Sequence, residues 1–391
     1  MLKPSAVAGP LNGVTIVDLT RVLAGPFCTM TLAELGARVI KVEAPDGGDD
    51  SRQYGPFVNG KSAYYMSLNR NKESVALNLK EAADRAIFED LLSHADVLIE
   101  NFRPGAMARL GYGWEALHAK YPRLIFCAAS GFGQTGPYAQ RPAYDVVVQG
   151  MGGVMSMTGH PGMPPARVGT SVGDITAGLF STIAINAALY HRAATGQAIQ
   201  IDVSMLDCQV AICENALARY FATGKVPGPS GARNPSITPF ESYATADDYM
   251  IIAAGNNALF AKLAEILGKP ALATDPRFDS NDTRTNNAEA LKAEMEAVLK
   301  TKSRARWFAL FDKNGIPCGP INNIKQVAED AQVAARNMIV EAADPVAGRV
   351  RMAGNPIKMP AFADSNSRAP SPELGQHRAA LVAELKTARA R

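Results

Sequence analysis

Residues 123–140 read RLIFCAASGFGQTGPYAQ. The first half is an apolar run of strand length. The second is a loop in which Gly131, Gly133 and Gly136 spell G-x-G-x-x-G. A glycine loop leaving a strand is where α/β proteins place ligands, and this spelling is that of a dinucleotide-binding turn. Such a turn requires a helix that begins at the motif, so that its free N–H groups meet a pyrophosphate. Here Pro137 follows the last glycine at once and Arg141-Pro142 comes soon after, which breaks any helix. The acidic residue required about 20 positions on is missing, and Asp145 lies too close. The strand and its ligand-facing loop stand; a nicotinamide cofactor does not follow.

Working outward, strand-like runs at 14–18, 38–43, 74–79 and 96–100 alternate with helical stretches at 25–36 and 81–93 and a proline-entered helix at 104–110. That alternation predicts βαβ units and a mostly parallel sheet, the mark of an α/β fold. A long helical stretch at 174–195, a strand at 199–203 and a helix at about 206–223 follow. Pro227-Gly-Pro-Ser-Gly231 then reads as a linker. The expected organisation is a large Rossmann-like domain over 1–225, a smaller α+β domain over 226–325 and a return to the large domain over 326–391.

Bulk properties restrict the function. With 40 basic and 37 acidic residues the formal charge is +3, so no nucleic-acid partner is indicated. The basic tail, Lys386, Arg389 and Arg391, reads as a solvated helix end. Cys28, Cys127, Cys208, Cys213 and Cys318 are scattered and form no C-x-x-C, which predicts free thiols and no metal site. The N-terminus lacks a basic-then-apolar signal pattern. No uninterrupted apolar run reaches the roughly 18 residues of a membrane span. A cytoplasmic protein with no membrane partner is expected.

Val168–Gly178, VGTSVGDITAG, holds a second motif. Gly169, Ser171 and Gly173 spell the G-x-S-x-G elbow of hydrolases, but the elbow needs a strand before it, and 161–167 is proline-rich. Of the downstream histidines, His191 falls within the same predicted helix and His377 lies near the tail. The adjacent Asp174 is more informative. As an aspartate opening a long helix it is a natural N-cap. Equally, a helix N-terminus keeps a carboxylate ionised, and an exposed carboxylate can attack an activated acyl group. Gly173 beside it lets a bulky ligand approach.

Several motifs converge on a resemblance. DLTRVLAGPFCTMTLAELGARVIKVEAP, NRNKESVALNLK, ADVLIENFRPGAMARLG, SGFGQTGP, YDVVVQGMGGVMSMTG and VGDITAG together resemble the class III CoA-transferases, the family of formyl-CoA transferase and carnitine CoA-transferase, over about residues 11–362. The resemblance implies an interlocked homodimer. Each chain would have a large Rossmann-like domain and a smaller α+β domain. It implies no tightly bound cofactor, with coenzyme A and acyl-CoA as substrates alongside a carboxylic acid. Asp174 matches the family's catalytic aspartate, which forms aspartyl–acyl anhydride and aspartyl-CoA thioester intermediates. Val22, Leu23, Ala24, Leu77, Lys80, Asn101, Phe102, Ala106 and Arg109 match positions that contact CoA. Read from spacing alone, Arg109 is also a solvated helix-face residue. Arg21 and Ala44 stand where the formyl-CoA branch has histidine and arginine, which puts that branch's nucleotide contact in question.

The branch narrows further. Racemases of this superfamily carry histidine where Tyr144 stands, so a histidine–aspartate proton exchange lacks its histidine here. Where the formyl-CoA branch has a tetraglycine loop, this chain has Ala254-Gly255-Asn256-Asn257. With GIPCGPINNI at 315–324 this looks more like the members that use succinyl-CoA and dicarboxylic acids such as glutarate. Arg21, Tyr144, Gly255, Asn256 and Asn257 are the expected substrate contacts, with Arg284 or Arg52 as a charge for a distal carboxylate; turn and cap roles for the loop residues stay open. Tyr138 and Gln134 could line the glycine loop. Beside CoA transfer, racemase chemistry and CoA binding without catalysis remain as alternatives.

Overall fold

The computed structural model describes residues 2–389; Arg391 of the basic tail lies outside them. The chain divides into two compact units. One comprises residues up to 155, 167–226 and from 331 onward; the other comprises 156–166 and 227–330.

The first unit is built on six parallel strands: β1 (Thr15–Asp18), β2 (Arg38–Glu43), β3 (Lys72–Ala76), β4 (Val97–Glu100), β5 (Ile125–Ser130) and β6 (Gln200–Ser204). They lie in the order β3-β2-β1-β4-β5-β6, the doubly wound arrangement. Successive side chains enter opposite faces, as a strand's period of two requires. Ile16, Val39, Ile99 and Cys127 join one core, with Ala24, Cys28 and Leu32 of α1 (Ala24–Glu34). Val17, Ile40, Leu98 and Phe126 join the other, with Phe88 and Leu91 of α3 (Ala82–Ser93). Between them in sequence lies α2 (Ala63–Asn69). Both faces are thus covered, and apolar side chains fill both sides of each central strand.

Three helices follow from the far end of the sheet: α4 (Asp145–Met151), the 24-residue α5 (Val172–Thr195) and α6 (Met205–Ile212), with α7 (Glu214–Thr223) after it. By length and composition α5 is apolar enough to cross a membrane, but Ala177, Ile185 and Ala188 on it are packed into the core. It reaches α1 through Gly178, where a Cβ would stand 2.7 Å from the Ala24 carbonyl oxygen and 3.1 Å from Phe27. Gly178→Ala must push the two helices apart. Overpacking of this kind costs about 1–3 kcal/mol. Urea unfolding of the variant should show that loss, and an unchanged midpoint would refute the close packing.

The second unit has its own core. An antiparallel sheet of β7 (Phe240–Ala244), β8 (Tyr249–Ala253) and β9 (Cys318–Pro320) packs with α8 (Asn257–Ile266), α9 (Ala288–Leu299) and α10 (Arg304–Lys313). Tyr243, Phe260, Leu291, Trp307 and Phe311 are buried together there. After it the chain returns to the first unit. There β10 (Ile339–Asp344), β11 (Gly348–Ala353) and the short β12 (Ser367–Arg368) form a three-stranded sheet. The closing helix α11 (Arg378–Arg389) places Leu381 and Leu385 in the core beside Phe88.

Candidate active site

At the carboxyl edge of the sheet β1 and β4 are neighbours, yet the chain leaving β1 enters the helix on one face and the chain leaving β4 runs to the other. A crevice opens at such a switch point. Here it is a cavity of about 190 Å³. Its walls are Arg21–Ala24 after β1, Asn101–Pro104 after β4, Ala129–Gly131 at the end of β5, the 139–144 segment, and Asp174.

Hydrogen bonds fix the turn after β1. The Asn101 side chain accepts from Arg21 N at 2.9 Å and donates to Arg21 O at 2.8 Å. Val22 has a φ of +68°, a left-handed conformation that is costly for a β-branched residue. Its N–H donates to Asp49 Oδ1 at 3.0 Å. Asp49 in turn pairs with the fully buried Lys41 at 2.9 Å. Burial alone would raise the Asp49 carboxyl, but Lys41 and the backbone N–H groups of Ser51 and Val22 hold it at about 2.

Beneath the turn, Asp18 accepts from Thr20 N at 2.8 Å and from Thr29 Oγ1 at 2.6 Å, and it meets Lys72 Nζ at 3.3 Å. Lys72 also donates to Asn69 Oδ1 and to the Pro26 carbonyl. Burial drives the Lys72 ammonium down to about 8, with Asp18 opposing it. Sequence reasoning missed this network. Its signal was present: lysines at 41 and 72 on strands of a sheet covered on both faces demand buried anionic partners.

Asp174 is the third residue of α5, not its cap; Ser171 holds the cap position without a side-chain bond. The capping oxygen comes instead from Asp145, the first residue of α4, whose Oδ1 accepts from Gly173 N at 2.8 Å. A Cβ on Gly173 would stand 3.0 Å from that oxygen and 2.7 Å from Val148, so only glycine lets α4 and α5 meet here. Contrary to the expectation from its position, the helix N-terminus alone does not set the ionisation of Asp174. Burial pushes its carboxyl up to about 7, and the nearby Asp145 carboxylate adds to the shift. Desolvation and a like charge outweigh the helix N-terminus. Burial, then the field of Asp174, keeps the Tyr64 phenol protonated.

Of the residues singled out from sequence, Arg21, Val22, Leu23, Ala24, Asn101, Phe102, Tyr144 and Asp174 line this one cavity. Leu77, Lys80, Ala106 and Arg109 do not: Leu77 is buried in the α3-side core, Lys80 and Arg109 are exposed and Ala106 is half-buried. Gly255, Asn256 and Asn257 belong to the second unit. There Asn256 Oδ1 caps α8 by accepting from Leu259 N at 2.8 Å, and Asn257 Oδ1 accepts from Arg284 at 2.9 Å.

Neither arginine proposed for a distal carboxylate is available. Arg284 is fully buried, donates to the Thr238 and Phe278 carbonyls and lies over the Phe260 ring. It braces the 255–257 loop. Arg52 is bidentate to Glu43 and lies over the Tyr65 ring at 3.8 Å. The glycine loop takes its shape from left-handed Gly133 and Gly136, with φ of +82° and +89°. Gln134 N bonds to Asp202 in that loop, and Tyr138 packs edge-on against Phe132.

The family described as CoA-transferase family III matches residues 11–378. A protein of Acetobacter aceti named acetyl-CoA:oxalate CoA-transferase is 46% identical over 98% of this chain and 97% of its own length. A mouse protein named succinyl-CoA:glutarate CoA-transferase is 40% identical over 96% of this chain and 86% of its own. Among solved structures, a CaiB/BaiF family protein from Brucella suis superposes with a TM-score of 0.84 at 40% identity, covering 96% of this chain and 99% of that one.

Proposed function

The chain belongs to CoA-transferase family III, and from that premise we propose that it moves CoA from a donor such as succinyl-CoA to a small dicarboxylic acid, with Asp174 as covalent nucleophile. The observation that carries this reading is Asp174 itself: a carboxylate on a rigid helix, in the wall of a cavity at the sheet's switch point.

Asp174 attacks the donor thioester carbonyl; the C–S bond breaks and CoA leaves as thiolate. The product is a mixed anhydride between Asp174 and the donor acid. The thiolate then attacks the aspartyl carbonyl, releases the donor carboxylate and leaves an aspartyl-CoA thioester. An acceptor carboxylate reverses both steps and departs as its own CoA thioester, and Asp174 is regenerated as a carboxylate. Covalent attack divides one difficult exchange into easier ones. Anhydride and thioester both demand exclusion of water, which a half-buried nucleophile in a narrow cavity favours.

The acid is taken as dicarboxylic because relatives are named for oxalate and glutarate. Arg103 and Arg141 line the cavity and supply positive charge for a second carboxylate, the role that Arg284 and Arg52 cannot fill, while Arg21 in the same wall is paired with Asp50. The CoA nucleotide would run outward from the Asn101–Pro104 turn past Arg109 and Lys80. A second copy of the chain is implied by the family resemblance. Tyr190 on α5 and Phe221 on α7, 78% and 77% exposed, are apolar surface that such a partner would cover.

Incubation with succinyl-CoA followed by intact and peptide mass measurement tests the mechanism, and native mass of the same sample tests the dimer. A CoA adduct on the peptide carrying Asp174, in a particle of two chains, is expected. Absence of an adduct with every acyl-CoA tried, in protein that binds CoA, would leave a binding protein. Exchange of the α-hydrogen with solvent deuterium without transfer would leave a racemase.

A further inference from the structure

The group that caps α5 is a carboxylate, and it caps at Gly173, the residue before the proposed nucleophile. We propose that Asp145 is a positioning residue for Asp174: it anchors the first turn of the helix that carries the nucleophile and holds a fixed negative charge against it, making Asp174 a more basic and stronger nucleophile.

The geometry is specific. Asp145 is 8% exposed, and both of its oxygens are engaged. Oδ1 accepts from Gly173 N at 2.8 Å, and Oδ2 accepts from Gln149 Nε2 at 2.7 Å. Gln149 is fully buried and is itself held by Val168 N, which donates to its Oε1 at 2.9 Å. The carboxylate therefore cannot swing away. A serine, threonine or asparagine in its place would satisfy the same N–H without charge. The capping task alone does not call for an anion beside a second carboxylate, because like charges disfavour each other.

The groups around Asp174 leave this charge in effect. Tyr64 on α2 is a neutral phenol. Arg167 stands on the far oxygen of Asp145, 3.8 Å away with a half-exposed side chain, and dilutes the field only weakly. Asp50, across the cavity, is already paired with Arg21 at 3.2 Å. Arg103 and Arg141 share the cavity wall and become the partners of bound anionic substrate. In the resting site, burial and Asp145 together hold Asp174 near neutrality.

The inference rests on the transferase reading only for its chemical consequence. Its test is therefore separate from turnover. A water-soluble carbodiimide with a tagged amine couples to protonated carboxyl groups, and peptide mass reads the yield at Asp174 across pH. In the wild type the coupling is expected to fall with a midpoint near pH 7. In Asp145→Asn, which still accepts the Gly173 N–H, the midpoint is expected about one pH unit lower, the size of shift a neighbouring charge produces. The acid limb of kcat should move down with it, and kcat on its plateau should fall about tenfold, with KM for acyl-CoA within twofold. Asp145→Ala separates anchoring from charge: it should lower the melting temperature further than Asp145→Asn, which keeps the acceptor for Gly173 N but sets its Nδ2 against the Gln149 Nε2 donor.

An unmoved coupling midpoint in Asp145→Asn would overturn the electrostatic role whatever the activity. A moved midpoint in a protein that transfers CoA to no acid would leave the role intact and refute the transferase reading.

Discussion

Asp174→Asn and Asp174→Ala are expected to lose CoA transfer by about 10⁴-fold or more in kcat/KM, since no other group at this position can carry the acyl and CoA intermediates. Binding of free CoA should change little, because the turns after β1 and β4 that line the cavity are untouched. The same variant should be more stable than the wild type, and the sign follows from the shift. The Asp174 carboxyl sits at about 7 in the fold, above the ordinary aspartate value of about 3.9 in the unfolded chain. Its contribution is therefore most favourable below about pH 4 and is lost as pH rises through 7. Asp174→Asn removes that slope, so its advantage in melting temperature should be larger at pH 8 than at pH 5. A variant that retained turnover would eliminate Asp174 as the nucleophile. Equal stability differences at the two pH values would eliminate the desolvated carboxyl.

Asp18→Ala is expected to be the most damaging single change to the fold, at about 3–5 kcal/mol by urea denaturation. Asp18 is fully buried at the end of β1, and two buried lysines, Lys41 and Lys72, depend on its charge. Without it, Thr20 N and Thr29 Oγ1 lose their acceptor, and the ammonium of Lys72, already down at about 8, would shed its proton more readily. The turn that holds Val22 in its left-handed conformation rests on this network through Asp49 and Lys41. Such a variant should therefore lose CoA affinity even under conditions where it remains folded. A loss below about 1 kcal/mol would show that the network is dispensable, as some buried ion pairs are.

The parallel sheet was legible because it is a local pattern, apolar runs alternating with helical stretches; the Pro-Gly cluster at 227–231 and an aspartate opening a long helix are local signals of the same kind. The dismissal of a dinucleotide turn at Gly131–Gly136 likewise used only local signals, Pro137 and the missing helix. The reading failed where a residue's task depended on what lay across from it. Arg284 and Arg52 looked like free charges, but one is enclosed by carbonyls and Phe260 and the other is forked onto Glu43. Asn256 and Asn257 spend their amide oxygens on a helix cap and on Arg284.

Sequence by itself determined the α/β class and the family and singled out Asp174 as a candidate, since these follow from periodicity and from residue types at fixed spacing along the chain. Only the tertiary structure decided the state of that aspartate. Asp145 lies 29 positions earlier, and nothing in the spacing says that its carboxylate caps α5 beside Asp174. Desolvation and charge act through space, so a carboxyl that the helix N-terminus alone would keep ionised is instead held near neutrality by the fold around it.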